Sequence, residues 1–275
     1  MSRSETVVEA LLADGRVRLD LVPGPWSPRL LQVRGGAVRV ALVATGALLL
    51  GGDDVALRVR VGRGVELELV EVSGTVAYDG RGRGARWSAQ LDVDGVLVWD
   101  ALPFVVADGA DLDRRTRVRL GAGACACLRD TLVLGRSGEA GVGVVRQDLR
   151  VDGVDGPVLV EQLRVDGSHA LPGVLGPHRV VDQVLLAGAR PPHAGPGLGG
   201  PDDGPATVLD LDRPGALVRA LGADAHTVDL GAWATGWAEV ARAAGRASGV
   251  IDPAASSGPV PAAAGQPATC AVAAS

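Results

Sequence analysis

The most regular stretch of the chain runs from Val55 to Val61, where Val55, Leu57, Val59 and Val61 alternate with Ala56, Arg58 and Arg60. Side chains along a strand point to opposite faces in turn, so one face here is apolar and the other carries both arginines. Residues 65–72, "VELELVEV", repeat the design with Val65, Leu67 and Leu69 against Glu66 and Glu68. Between the runs, "GRG" at 62–64 has hairpin length and two glycines, which predicts Arg58 and Arg60 facing Glu66 and Glu68 across a paired turn.

Most of residues 5–190 reads the same way, as short strands separated by turns. Asp-Gly steps at Asp14, Asp79, Asp94, Asp108, Asp152, Asp155, Asp166 and Asp203 punctuate them and predict an extended antiparallel β architecture. "TRVRLGAGACACL" echoes "ALRVRVGRGVELEL", with Gly121 standing 59 residues after Gly62, a weak repeat rather than a short-period solenoid array. Helical spacing enters only late. Pro214 stands at a plausible first helical position before Leu217 and Leu221, and Trp233, Trp237 and Val240 follow, which predicts helices at about 214–222 and 230–246. The Pro/Gly-rich stretch 189–206 is a loop, and 248–275 is a low-complexity tail expected to be disordered, leaving one domain over 1–247.

Composition narrows the chemistry. The 27 basic residues are all arginine and face 32 acidic ones, a net charge of -5 that disfavours nucleic acid as a partner. Without a lysine there is no Schiff base and no Walker-type phosphate lysine. Three cysteines make a poor disulfide framework, and with a charged N-terminus and no apolar run of spanning length they predict a cytoplasmic protein with no membrane segment.

Candidate sites are few. Adjacent Asp53 and Asp54 diverge in an extended segment, so "GGDD" at 51–54 reads as a turn before it reads as an acid pair. Cys125 and Cys127 share one strand face and present two sulfurs, short of a tetrahedral metal set. His169, His178, His193 and His226 lack metal-ligand spacing, and Ser137 in "LGRSGEAG" lacks the nucleophile-elbow pattern. Tryptophan supplies five of seven aromatics, as core filling or as a protein-contact surface.

The succession "GALLLGGDD", "LELVEVSGTVAYDGRGRGARW", "LVWDALPFVVADGADLDRRTRVRLGAGA" and "LRDTLVLGRSGEAG" resembles the urease accessory proteins called UreD or UreH, over roughly residues 16–245. Its most specific points are Gly51-Gly52-Asp53, Trp99 with Pro103-Phe104, and Leu134-Gly135-Arg136 with Gly138-Glu139. Where many members carry a Lys-Tyr pair, this chain keeps Tyr78 and lacks the lysine.

The resemblance implies a mainly β fold, an extended β-helix-like stack of antiparallel and mixed strands with two C-terminal helices. It implies a non-enzymatic urease maturation scaffold that binds UreF, UreG and apo-urease, possible homodimer formation within that complex, and nickel delivery with no tightly bound cofactor and at most transient nickel. Gly51, Gly52, Asp53, Tyr78, Arg136 and Glu139 become structural or polar-route candidates; Cys125, Cys127 and His178 are weak nickel candidates. Trp233 and Trp237, one helical turn apart, and Arg219 are expected on the UreF-binding surface. Two other readings stand beside it: a β-sandwich module that binds protein or carbohydrate through exposed tryptophans, and a metal-dependent enzyme in which Asp53 or Asp54 meets histidine.

Overall fold

In the computed structural model the described residues are 3–139, 141–166, 174–192 and 206–251. The chain opens with antiparallel β1 (Ser4–Ala13) and β2 (Arg16–Val22) in one sheet, then antiparallel β3 (Trp26–Arg34) and β4 (Ala37–Ala44) in a second. From there it winds between the two sheets. β5 (Asp54–Val61), β8 (Ala85–Val93), β11 (Asp111–Leu120) and β13 (Val144–Gly153) join the first, while β6 (Glu66–Glu71), β9 (Val96–Asp100) and β12 (Cys125–Leu134) join the second. Short β7 (Thr75–Ala77) and β10 (Phe104–Val106) sit at one corner of the winding. β14 (Gly156–Asp166) turns back on β13, and β15 (Val180–Ala187), β17 (Gly215–Gly222) and β16 (Thr207–Asp210) complete the second sheet. One helix, α1 (Gly231–Ala247), follows a single 3₁₀ turn at Ala225–Thr227.

Successive windings stack in parallel, β1-β5-β8-β11-β13 and β4-β6-β9-β12, so the centre is solenoid-like and only the ends are antiparallel. This corrects the antiparallel expectation and also the hairpin. Gly62–Gly64 carries the chain from one sheet to the other, so β5 and β6 never pair. Arg58 meets Glu5 instead. Glu66 and Glu68 bind Arg242 on α1 at 2.6 and 3.2 Å. Glycine is required where corners stack: a Cβ on Gly95 would lie 2.6 Å from the Gly62 carbonyl oxygen and closer still to that of Val65.

The 59-residue echo is two windings. In the first sheet Val59 stacks on Leu91 and Leu91 on Val118, 32 and 27 residues apart. In the second Leu67, Leu97 and Ala126 are 30 and 29 apart. Unequal corner lengths hide the single winding and leave only its double legible.

The inner faces form one core that includes Val8, Val40, Leu57, Leu67, Leu91, Leu97 and Leu112. A second core lies on the outer face of the ten-stranded sheet, where α1 covers β9, β12 and β15. Helix 230–246 is borne out; helix 214–222 is not, because that segment is β17. Its Leu217 faces the inner core while Ala216, Val218 and Ala220 face the α1 core, so both phases are apolar and no alternation shows. Packing continues past 247 through Val250 and Ile251, and the expected tail from 252 onward lies outside the described residues. No helix among the described residues is long and apolar enough to cross a membrane.

Candidate functional site

The motif positions nearest the chain start build a turn. The Asp53 carboxylate accepts the Leu50 N–H at 2.8 Å, and Gly52 has φ +96. A Cβ on Gly51 would stand 2.6 Å from the Gly80 Cα, so two loops touch backbone to backbone there. Tyr78 donates its N–H to the Leu49 carbonyl at 3.1 Å in the same corner. Glu139 plays a similar part: its carboxylate accepts the N–H groups of Arg136 at 2.8 Å and Asp108 at 2.9 Å, and these bonds hold its pKa below the ordinary glutamate range. Among the described residues Asp53 and Asp54 meet no histidine, and no three His, Cys, Asp or Glu side chains converge as a metal site.

Cys125 and Cys127 do share one face of β12, but that face lies under α1. Burial pushes their thiols up to about 11 and about 12, so both stay protonated and are poor metal ligands. His178 sits half-buried in the turn before β15, away from them in sequence and fold. Trp233 and Trp237 are 6% and 1% exposed, packed edge to face 5.7 Å apart against the same sheet. That corrects the expectation of a partner surface: this pair is the seam between helix and sheet. Trp26, Trp87 and Trp99 are buried too, which takes away the exposed tryptophans of the binding-module reading.

Arg219 leads to the feature that the sequence reading missed. It is on a strand, not a helix, and its guanidinium reaches Glu161 and, at 2.6 Å, Gln183 between the two sheets. Gln183 is in register with Asp130, and Arg114 with Gln147 on the facing sheet. Arg114 is 6% exposed and binds Asp130 at 2.7 Å and Gln147 at 3.1 Å. Glu71 lies further along the stack, accepting from Trp99 Nε1 and from the Leu102 N–H, both at 3.1 Å. A single row of polar side chains thus runs through the core along the stacking direction.

Two cavities follow the row. One of about 50 Å³ is lined by Glu71, Trp87, Trp99, Phe104, Arg114 and Asp130, among others. A second, of about 10 Å³, continues from Asp130, Gln147 and Gln183 to Glu161 and Arg219. The first has room for a few water molecules and the second for about one. The Oε2 atom of Glu161 is buried beside the second with no hydrogen-bond partner in the protein.

The sequence does carry a signal for this row. In β12 to β15 and in β17 a single polar residue interrupts the inward apolar phase, Leu128-Asp130-Leu132, Val145-Gln147-Leu149, Leu159-Glu161-Leu163, Val181-Gln183-Leu185 and Leu217-Arg219-Leu221, and in β11 Arg114 and Thr116 do so between Leu112 and Val118. Each interruption reads singly as a strand slip; interruptions in six strands mark a shared interior path.

Charge along the row is paired, Arg114 with Asp130 and Arg219 with Glu161. Glu71 has no arginine partner within 4.0 Å among the described residues, and burial pushes its carboxyl up to about 7. The folded state then keeps a proton that the unfolded chain releases near the ordinary glutamate pKa. Stability falls as pH rises from about 4.5 to about 7 and this contribution is flat above. Glu71→Gln, which keeps an acceptor for Trp99 or Leu102, is expected to flatten that slope in urea unfolding measured from pH 5 to 8. An unchanged slope means Glu71 is ionised throughout.

A family model described as UreD urease accessory protein matches residues 27–250. "Urease accessory protein UreD 1" of Streptomyces griseus is 46% identical over 223 residues, 79% of this chain and 84% of that protein. "Urease accessory protein UreD" of Frankia alni is 40% identical over 215 residues, 69% of this chain and 70% of its own length. The Streptomyces coelicolor protein of that name is 35% identical over 213 residues, 74% of this chain and 82% of the relative.

Proposed function

The chain belongs to the UreD family of urease accessory proteins, and from that premise we propose that it serves urease maturation in the cytoplasm as a non-catalytic scaffold, bound to UreF, UreG and apo-urease, that passes nickel toward the enzyme. The observation that carries the nickel part is the buried polar row with its two cavities. Carboxylate and amide oxygens bind nickel less firmly than a closed set of histidines and cysteines, which suits an ion in transit. Nickel is the cargo in this reading and has no resident site. The oxygen donors of the row are those of Glu71, Asp130, Gln147, Glu161 and Gln183.

Gln147 lines both cavities and its amide nitrogen donates to Asp130 at 3.1 Å. Methionine matches its length without its oxygen. Co-expression of Gln147→Met with apo-urease, UreF and UreG is expected to lower urease activation several-fold while the chain still co-purifies with UreF. Activation at the wild-type level would remove the route, and failure of the wild-type chain to co-purify with UreF would remove the scaffold.

A further inference from the structure

A divalent ion entering this row meets arginines, and the three that border it are held very differently. Arg129 is gripped by Asp182 through Nε at 3.1 Å and a terminal nitrogen at 2.7 Å, with Asp229 at 2.7 Å and Asp100 at 3.5 Å around it. Arg219 uses both Nε and a terminal nitrogen on Gln183 and reaches Glu161. Arg114 is bound only through its terminal nitrogens, to Asp130 and Gln147, and its buried Nε has no partner. Its guanidinium also lies against two aromatic faces, 4.9 Å from the Trp87 ring centre and 4.5 Å from that of Phe104.

Those rings line the larger cavity, so the guanidinium has a surface that tolerates a cation next to open space. Asp130, its partner, lines both cavities, so the pair stands where one opens into the other.

We propose that Arg114 is the stopper of the passage: it occupies the Asp130 carboxylate until a divalent cation takes its place, and is then held by Trp87 and Phe104. The inference rests on the reading of the row as a cation route. The carboxylate trades one cation for another, and the aromatic faces that the guanidinium already touches keep it partnered once Asp130 lets go. When the ion leaves, Asp130 recaptures Arg114, so nickel does not accumulate.

The test uses the full chain co-expressed with UreF and nickel sulfate as the probe, by calorimetry. Arg114→Met leaves Asp130 without its cation, so nickel is expected to bind roughly tenfold or more tightly than to the wild-type complex, as follows from removing one positive charge a few ångströms from the site at an effective dielectric of about 20. Urease activation is expected to fall because the ion lingers. Arg114→Gln, which still donates to Asp130, is expected to show the same direction with a smaller gain. Unchanged nickel affinity in both variants, alongside lowered activation by Gln147→Met, overturns the stopper and keeps the route. Full activation by Gln147→Met removes the route and the stopper with it. Unfolding of both Arg114 variants also overturns the proposal, since it makes Arg114 a fixed part of the core.

Discussion

Asp182→Ala is expected to cost about 3 to 5 kcal/mol, the usual penalty for stripping one partner from a buried ion pair. Asp182 is 0% exposed, and its carboxylate takes both Arg129 bonds, the Thr131 hydroxyl at 2.9 Å and the Leu230 N–H at 2.9 Å. One side chain therefore joins β12, β15 and the residue just before α1. Alanine leaves the mostly buried Arg129 with only Asp100 and Asp229, and leaves Thr131 and Leu230 without their acceptor. Against a total stability of about 5 to 15 kcal/mol, most soluble protein is lost. Asp182→Asn retains an acceptor oxygen and is expected to lose markedly less. Urea unfolding of the two variants checks the order, and an alanine variant within about 1 kcal/mol of wild type would show that the cluster is dispensable.

Legibility in the sequence tracked how much of each strand faces water. β5 was readable because Arg58 and Arg60 on its outer face are exposed and its inner face is not, so Val55 to Val61 alternate without a break. β17 was misread because both its faces are covered, Leu217 by the inner core and Ala216, Val218 and Ala220 by the second core, and "GALVRALG" then satisfies helical and extended patterns equally. Propensity gives no help there, since Ala, Leu and Arg favour helix while the register with β15 imposes a strand. The turn at Asp53 was legible from Gly51-Gly52-Asp53 alone, because the bond that makes it spans three residues. The run before it, Leu48–Leu50, is irregular, with Leu49 buried at φ +59.

The polar row stayed hidden for a different reason. Glu71 and Arg219 are 148 positions apart, and only the stacking of unequal windings brings them into one row. Local pattern reports which face a residue takes and says nothing of which row across the strands it joins. Register is a global quantity here, set by corner lengths that differ from winding to winding. The tryptophans failed in the opposite sense. Trp233 and Trp237 have the spacing of an apolar helix edge, and sequence alone does not say whether that edge docks on a partner or on the chain's own sheet.

The structure answers that question with a prediction that separates the two outcomes. Trp237 is 1% exposed and packs with Trp233 among Cys127, Val184, Leu186 and Val218. Trp237→Ala is expected to cost about 3 to 5 kcal/mol through lost contact and the cavity left behind. At roughly 2 to 4 °C per kcal/mol for a chain of this size, the thermal midpoint falls by on the order of 10 °C. Trp237→Phe tests the cause. The indole Nε1 of Trp237 is buried without a hydrogen-bond partner, so phenylalanine keeps most of the ring packing and removes an unsatisfied donor, with a cost expected below about 1.5 kcal/mol. Any loss of UreF binding in the alanine variant should therefore track loss of fold and vanish in the phenylalanine one. An alanine variant with an unshifted melting curve that no longer binds UreF would restore the tryptophan pair as a partner surface, which requires α1 to leave its sheet in the complex.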